Sequence, residues 1–599
     1  MTIIKASQRF IGISATFLLT AGSSSLLQAQ TYFPSDVDTS LCSLTSSEFS
    51  NWVTLTLPPF APNSAIGPVF DKDSGMPYIF PPAGPYFPKD RPDASHAQPT
   101  DCDFYKWGSQ MFLWLTSTIN DGTKPSGAPN YSAELPFVFN SEFFYRLSGD
   151  QTALLPQGSE ASSNSDTLKV KLRTAKGDES IGQAGGNGVL LSQDKSLTYY
   201  GIHVNRLYGY FYSDYREEKA DGKKPAKQFP TTATDACRNI NYAMHNGYAD
   251  DGLVPKTLYD LYCSSADLAQ SPEESADAGP SNVAATSALT IPQLEPAVDF
   301  LSMAVEVKTS WVDASTVCHD ENAACSKEDY IRQNLNVPVY DRSDDTRWAQ
   351  TTSEVKELAL VGMHIVGTVK GHPESIWATI EHKHNAPNGT YYYYTNKKDS
   401  ENQKPVVKKV SSPQPNAKWT FSDGSLVTDV KEQAVGCTNT PMPKGCQKPS
   451  DIVSSESTSK IKPTNVTRIH PWGNKQSESD DFAISQNTQL IALNRDVNKQ
   501  VGKWLSSDPR QNYFISGAVW TNNGGIPTGD DYAHNTGSKT LANTTMETFQ
   551  QTKGCFGCHN SQDASNGLNV SHVFLGLTAP LPRATVDVIK QKANPTKEQ

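Results

Sequence analysis

Long apolar runs are almost absent from this 599-residue chain. Only residues 10–21 and 358–369 approach one, and neither reaches the roughly 18–20 residues that a membrane-spanning helix needs. The second run also contains His364. A surplus of positive charge is lacking too: 52 Lys and Arg stand against 63 Asp and Glu, a net charge of −11. That balance argues against nucleic acid and anionic membranes as partners; it suits a basic partner, or serves only to keep the surface hydrated. Phosphate-cradling glycine loops, the dinucleotide fingerprint and the serine elbow of hydrolases are missing. The paired glycines at 185–186 and 524–525 read as turns. There is no internal repeat and no heptad pattern. Cys-x-x-Cys occurs once, and no methionine follows Met546.

What is present begins with Lys5 and Arg9, the apolar run 10–21, and small or polar residues up to Ala29. This is the layout of a secretory signal peptide, residues 1–29. The mature chain is expected to be periplasmic or secreted, with no transmembrane segment. Ten cysteines fit an oxidising compartment. Eight of them lie outside the Cys-x-x-Cys pair: Cys42, Cys102, Cys237, Cys263, Cys318, Cys325, Cys437 and Cys446. Sequential pairing is expected, since Cys318/Cys325 and Cys437/Cys446 each close a short loop.

Residues 30–535 read as one large mixed α/β body. Proline density excludes regular structure over 57–99. Phe104, Trp107, Met111 and Trp114 or Leu115 then recur at helical spacing. Short strands and turns are expected over 135–215, with half-buried alternation over 197–205. A helical patch follows at 258–268, and residues 266–290 are Ser/Ala/Glu/Pro-rich, a flexible segment. Strands are expected over 300–312, 358–369 and 376–381, the last two joined at Gly371-His372-Pro373. Residues 390–457 are polar, 484–505 are helical, and 522–536 form a connector into the C-terminal segment, 536–599. The fold class expected is α+β: a large body with antiparallel strands and disulfides, followed by a small α-helical segment.

That segment carries Lys553-Gly554-Cys555-Phe556-Gly557-Cys558-His559. Two thiols spaced by two residues and followed at once by histidine form the c-type haem attachment pattern. Cys555 and Cys558 would bond to the vinyl groups of one haem, and His559 would sit under the iron as proximal axial ligand. A zinc site would want a second Cys/His pair, and a thioredoxin-like pair would want a βαβ setting. A capping box, Thr544 with Glu547, is expected to start a short helix before Cys555. One or two helical turns are expected over 569–577, and a last short helix over 585–592. For the sixth iron position His572 is the candidate, with Met546 the local rival; otherwise the iron is open or is met by a histidine of the body.

The body has one histidine-dense stretch, with His364, His372, Glu374, Glu381, His382 and His384. On a strand, His382 and His384 share a face and could bind a metal or approach the haem. Lacking any established ligand spacing, the cluster reads rather as a polar network around a hairpin.

Residues 541–549, 555–559, 568–574, 371–382 and 200–205 together resemble a family of large exported bacterial mono-haem proteins, the cytochrome c family proteins. The resemblance implies one covalently attached haem c and electron transfer with a redox partner protein, and it implies no substrate. Two other readings stand beside it. One is a haem enzyme of peroxidase or oxygenase type with an open iron, for which His382, His384 or Glu381 would be distal groups. The other is an exported haem-containing binding or sensor protein.

Overall fold

The computed structural model describes residues 32–53, 84, 99–117, 137–156, 188–248, 258–263 and 301–581, apart from short breaks within these ranges. The signal-peptide stretch, most of 57–99, the 266–290 segment and the helix expected over 585–592 lie outside them. From Phe33 onward the chain belongs to one compact unit, so contacts do not separate residues 536–581 from the body.

The frame is an 11-stranded antiparallel sheet. Its main path runs β13(Asn535–Gly537), β12(Tyr513–Thr521), β7(His372–His382), β6(Arg347–Val369), β4(Val305–Asp313), β3(Tyr199–Asn205), β1(Phe144–Leu147), β2(Leu154–Pro156). β5(Arg332–Asp341) pairs with β6 along most of its length, as does β11(Ile452–Ser454) at its start, with β10(Ala434–Gly436) beyond. β6 is long, with 23 residues, because its two halves do different work: 347–357 is mostly exposed, whereas 358–369 sits between β4 and β7. The expected hairpin of β6 and β7 is present, turning at residues 370–371.

β3 was expected to be half-buried. All seven of its residues are buried, because both faces of the sheet are covered at this point. On one face lies α2(Asp101–Leu115), the helix expected from its aromatic stripe. It packs on β7 and β12, with Gly108 against Ala378 and Ile515 and Phe104 stacked on Trp520 at 3.9 Å. α5(Asp481–Trp504) lies against α2 and β12. Near the other end, α3(Arg206–Ala220) follows directly from β3. Its start is capped by Asn205, whose side chain accepts from the Tyr208 amide. α4(Ala233–His245) packs beside it. The tyrosine run at 391–394, expected only as polar chain, is strand β8(Tyr391–Lys398), paired with β9(Pro405–Val410) in a separate two-stranded sheet.

The disulfides pair sequentially, as expected: Cys42–Cys102, Cys237–Cys263, Cys318–Cys325 and Cys437–Cys446. Among the described residues no helix is long and apolar enough to cross a membrane. The C-terminal segment is less helical than expected. α6(His572–Gly576) and a single 3-10 turn, Gly567–Val570, are its only helical pieces among the described residues; residues 544–549 form turns.

Candidate haem site

The site is a segment laid across one sheet face. Strand alternation brings Glu306, Lys308 and Ser310 of β4 to that face, opposite Val366, His364 and Gly362 of β6. In register beyond them stand Trp377, Thr379 and Glu381 of β7. Residues 541–574 cover this row. Asn543 Nδ2 donates to Thr379 Oγ1 at 2.8 Å, and the Thr545 and Ser310 hydroxyls meet at 2.7 Å. Tyr200 OH donates to the Thr545 carbonyl at 2.7 Å. The segment lies so close that a Cβ on Gly362 would stand 3.0 Å from Asn543 Oδ1 of the segment and 2.8 Å from Ser310 Oγ of β4. A larger residue there would push on Asn543 and Ser310.

Glu381 anchors the upper end. Its carboxylate is buried against Arg468, with Nη2 to Oε2 at 2.6 Å, and accepts from the Thr544 amide at 3.1 Å and from the Thr544 hydroxyl. This engagement takes the place of the expected capping box. Glu547 accepts from the Asn543 amide at 2.9 Å, and Asn543 Oδ1 takes the Thr545 amide at 2.9 Å, so Asn543 organises a turn where a helix was expected. Thr544 is held by Glu381.

Next along the face, both Glu547 oxygens lie 3.0 Å from His364 Nε2. Burial acts to raise the Glu547 pKa, but His364 and Lys308 outweigh it and hold the carboxyl below its ordinary value. Lys308 goes the other way: burial pulls it down, while Glu547 and Glu306 oppose the shift.

The chain then reaches the motif through Gly554, which has φ +71, a conformation that suits glycine. Cys555 is partly buried and packs with Val366, Trp377, Val519, Leu541, Phe556 and Val570. Burial, then the nearby Glu547 charge, pushes its thiol pKa up. Cys558 is exposed. These are the two free cysteines of the ten, while the other eight are bridged. His559 lies 4.3 Å from Trp377, ring centre to ring centre, and its Nδ1 is 3.0 Å from the Val570 carbonyl oxygen. The carbonyl can only accept, so Nδ1 carries the proton and Nε2 keeps its lone pair. Burial, with His572 beside it, lowers its pKa well below the usual imidazole value. A neutral imidazole with Nδ1 tied to a carbonyl is the state a metal-ligating histidine needs. Two free thiols, that imidazole and an apolar wall fit covalent haem.

His572 is brought to the same place, its ring stacked on His559 at 4.2 Å and 29°. Rings so close leave no room for a porphyrin between them. As placed, His572 is a stacking neighbour of His559, not a residue facing it across an iron. Met546 is buried in the 544–549 turns.

The body histidines do not assemble as a site. His382 is on the opposite face of β7 from Trp377, Thr379 and Glu381, stacked on Tyr330 at 3.6 Å with Nε2 3.1 Å from the Asp329 carbonyl. His384 adjoins it, ring centres 5.5 Å apart. Neither reaches the motif. His372 begins β7 and pairs with Glu374 at 2.9 Å, so about 30 Å of strand separates it from His382. Among the described residues no group of three or more His, Cys, Asp and Glu is arranged to hold a metal ion. The body histidine that does touch the motif-bearing segment is His364. Sequence reasoning singles out His364 only as part of the histidine-dense stretch and Glu547 only as a cap partner, and it misses Glu306, Lys308 and Trp377 as site residues. The available signal was polar residues at alternate positions of strands that are otherwise apolar. No protein-family model, curated protein or solved structure matches the chain.

Proposed function

We propose that this is an exported mono-haem c-type cytochrome that transfers electrons. One observation carries the reading: the two cysteines outside the disulfides stand beside a histidine whose Nδ1 is already tied to a backbone carbonyl. Cys555 and Cys558 would hold one haem c by thioether bonds, and His559 Nε2 would ligate its iron. When bound, the haem supplies a one-electron ferric/ferrous couple. The protein's part is to orient and insulate. The Val570 carbonyl fixes the His559 ring, Trp377 and Phe556 keep water from one side, and exposed Cys558 leaves an edge near the surface for a redox partner. The net charge of −11 suits a basic partner protein. His572, stacked on His559, would supply a second imidazole to the iron only if the two rings parted; two imidazoles would give a lower potential than His/Met. Four disulfides fit an oxidising compartment outside the cytoplasm.

Oxidised and reduced optical spectra of the mature protein, with and without carbon monoxide, test this. A six-coordinate low-spin spectrum indifferent to carbon monoxide is expected. A high-spin or carbon-monoxide-reactive haem would contradict the closed site and direct attention to peroxide or oxygen chemistry.

A further inference from the structure

Behind His559 lies a carboxylate that haem attachment does not require. Glu306 of β4 is largely buried, and its Oε2 accepts from the Ser571 hydroxyl at 2.8 Å. The Ser571 and Tyr208 hydroxyls meet at 3.0 Å. Glu306, Tyr208, Ser571, Glu374, Trp377 and Val570 line one small cavity. Two of these residues also touch His559: Trp377 through its ring and Val570 through its carbonyl. Glu306 is therefore one layer of side chains from the proximal imidazole.

Each element packed around Glu306 leaves it short of charge partners. β3 and β6 place Val204 and Val366 beside it in register. α3 offers the neutral Tyr208, and β7 offers Glu374, 1% exposed, with an Oε2 that has no hydrogen-bond partner. The cation acting on it is Lys308 of its own strand. Burial pushes the Glu306 carboxyl up to about 7, against the opposing pull of Ser571 and Lys308. A carboxylate so placed is sensitive to one more negative charge nearby, since Coulomb interaction is weakly screened in such surroundings.

We infer that Glu306 is the proton-accepting site coupled to the one-electron step, a reading that rests on the proposed haem attachment. For each electron delivered to the iron by a one-electron donor, the Glu306 carboxylate binds one proton from solvent, forming an O–H bond. When the electron leaves, the proton returns to solvent. The charge added at the site is then close to zero, and the potential depends on pH.

The test is the midpoint potential of the haem-loaded full chain, titrated with dithionite and mediators from pH 5 to 9, for the wild type and Glu306→Gln. The wild type is expected to fall by up to ~59 mV for each tenfold drop in proton activity around neutrality, for one electron. Glu306→Gln is expected to be flat over that window. A flat wild type, or a slope unchanged in Glu306→Gln, overturns the inference. If the variant does not fold, infrared difference spectra of the wild type decide: a protonated-carboxyl band appearing on reduction is expected, and its absence overturns the inference. A chain without covalent haem at the outset contradicts the attachment itself, a failure distinct from a flat potential.

Discussion

Nδ1 of His559 lies 3.0 Å from the carbonyl oxygen of Val570, and the two residues are joined across the turn that also carries Ser571 and His572. The orientation of one ring is thereby tied to the backbone that positions the other. In haem-loaded protein, His559→Ala is expected to lose the low-spin spectrum while the thioethers retain the haem. His572→Ala is expected to make the reduced haem bind carbon monoxide. An unchanged spectrum in the second variant would exclude His572 as a ligand and leave it as the proximal ring's stacking neighbour.

The Glu381–Arg468 pair supports the segment from below. Both side chains are almost wholly buried, at 0% and 2% exposure, and Glu381 also holds Thr544. Arg468→Ala would leave a buried carboxylate without its cation, a loss of about 3–5 kcal/mol. Denaturant unfolding of the variant should show a correspondingly lower midpoint with an unchanged slope. A midpoint like the wild type's would show that Thr544 and Ser516, whose hydroxyl also donates to Glu381 at 3.4 Å, suffice for it.

Two buried histidines should destabilise the fold in acid before carboxylates of ordinary pKa titrate. Burial lowers the His203 pKa to about 3 and the His384 pKa to about 4. The unfolded chain, with histidines near 6.5, binds protons that the folded chain refuses. Stability from these groups is therefore complete above pH 6.5 and is lost as pH falls toward the folded-state values of about 3 and about 4. At about 1.4 kcal/mol per pH unit, the whole shifts are worth roughly 5 kcal/mol for His203 and roughly 3 kcal/mol for His384. Glu306, whose carboxyl is raised to about 7, gains stability over the same window and offsets part of the loss, so the comparison is between chains. Between pH 7.5 and 4.5, His384→Asn should lose less unfolding free energy than the wild type. An equal change in the two chains would contradict the assignment.

Sequence reading went furthest where the chemistry is local. Cys555, Cys558 and His559 declare themselves by spacing, and Cys318–Cys325 and Cys437–Cys446 close loops too short to suggest other partners. The β6–β7 hairpin shows in its apolar strands and its turn. The sheet face does not show, because Lys308, His364 and Glu547 come from three separate parts of the chain and meet only through strand order. Alternation likewise indicates that His382 and Glu381 point apart, but which of them faces the motif depends on where residues 541–559 lie. The 544–549 stretch was expected as helix because Thr544 and Glu547 have cap spacing; Glu381, distant in sequence, takes Thr544 instead.

The most direct test of the central claim is the mass of the mature chain produced in cells that attach haem c, followed by sequencing of the peptide around Cys555 and Cys558. The account predicts one haem per chain, bonded to both cysteines, with Cys558→Ser removing one of the two thioethers. A mass equal to that of the bare polypeptide, with Cys555 and Cys558 recovered as thiols, as a disulfide or on zinc, would contradict it.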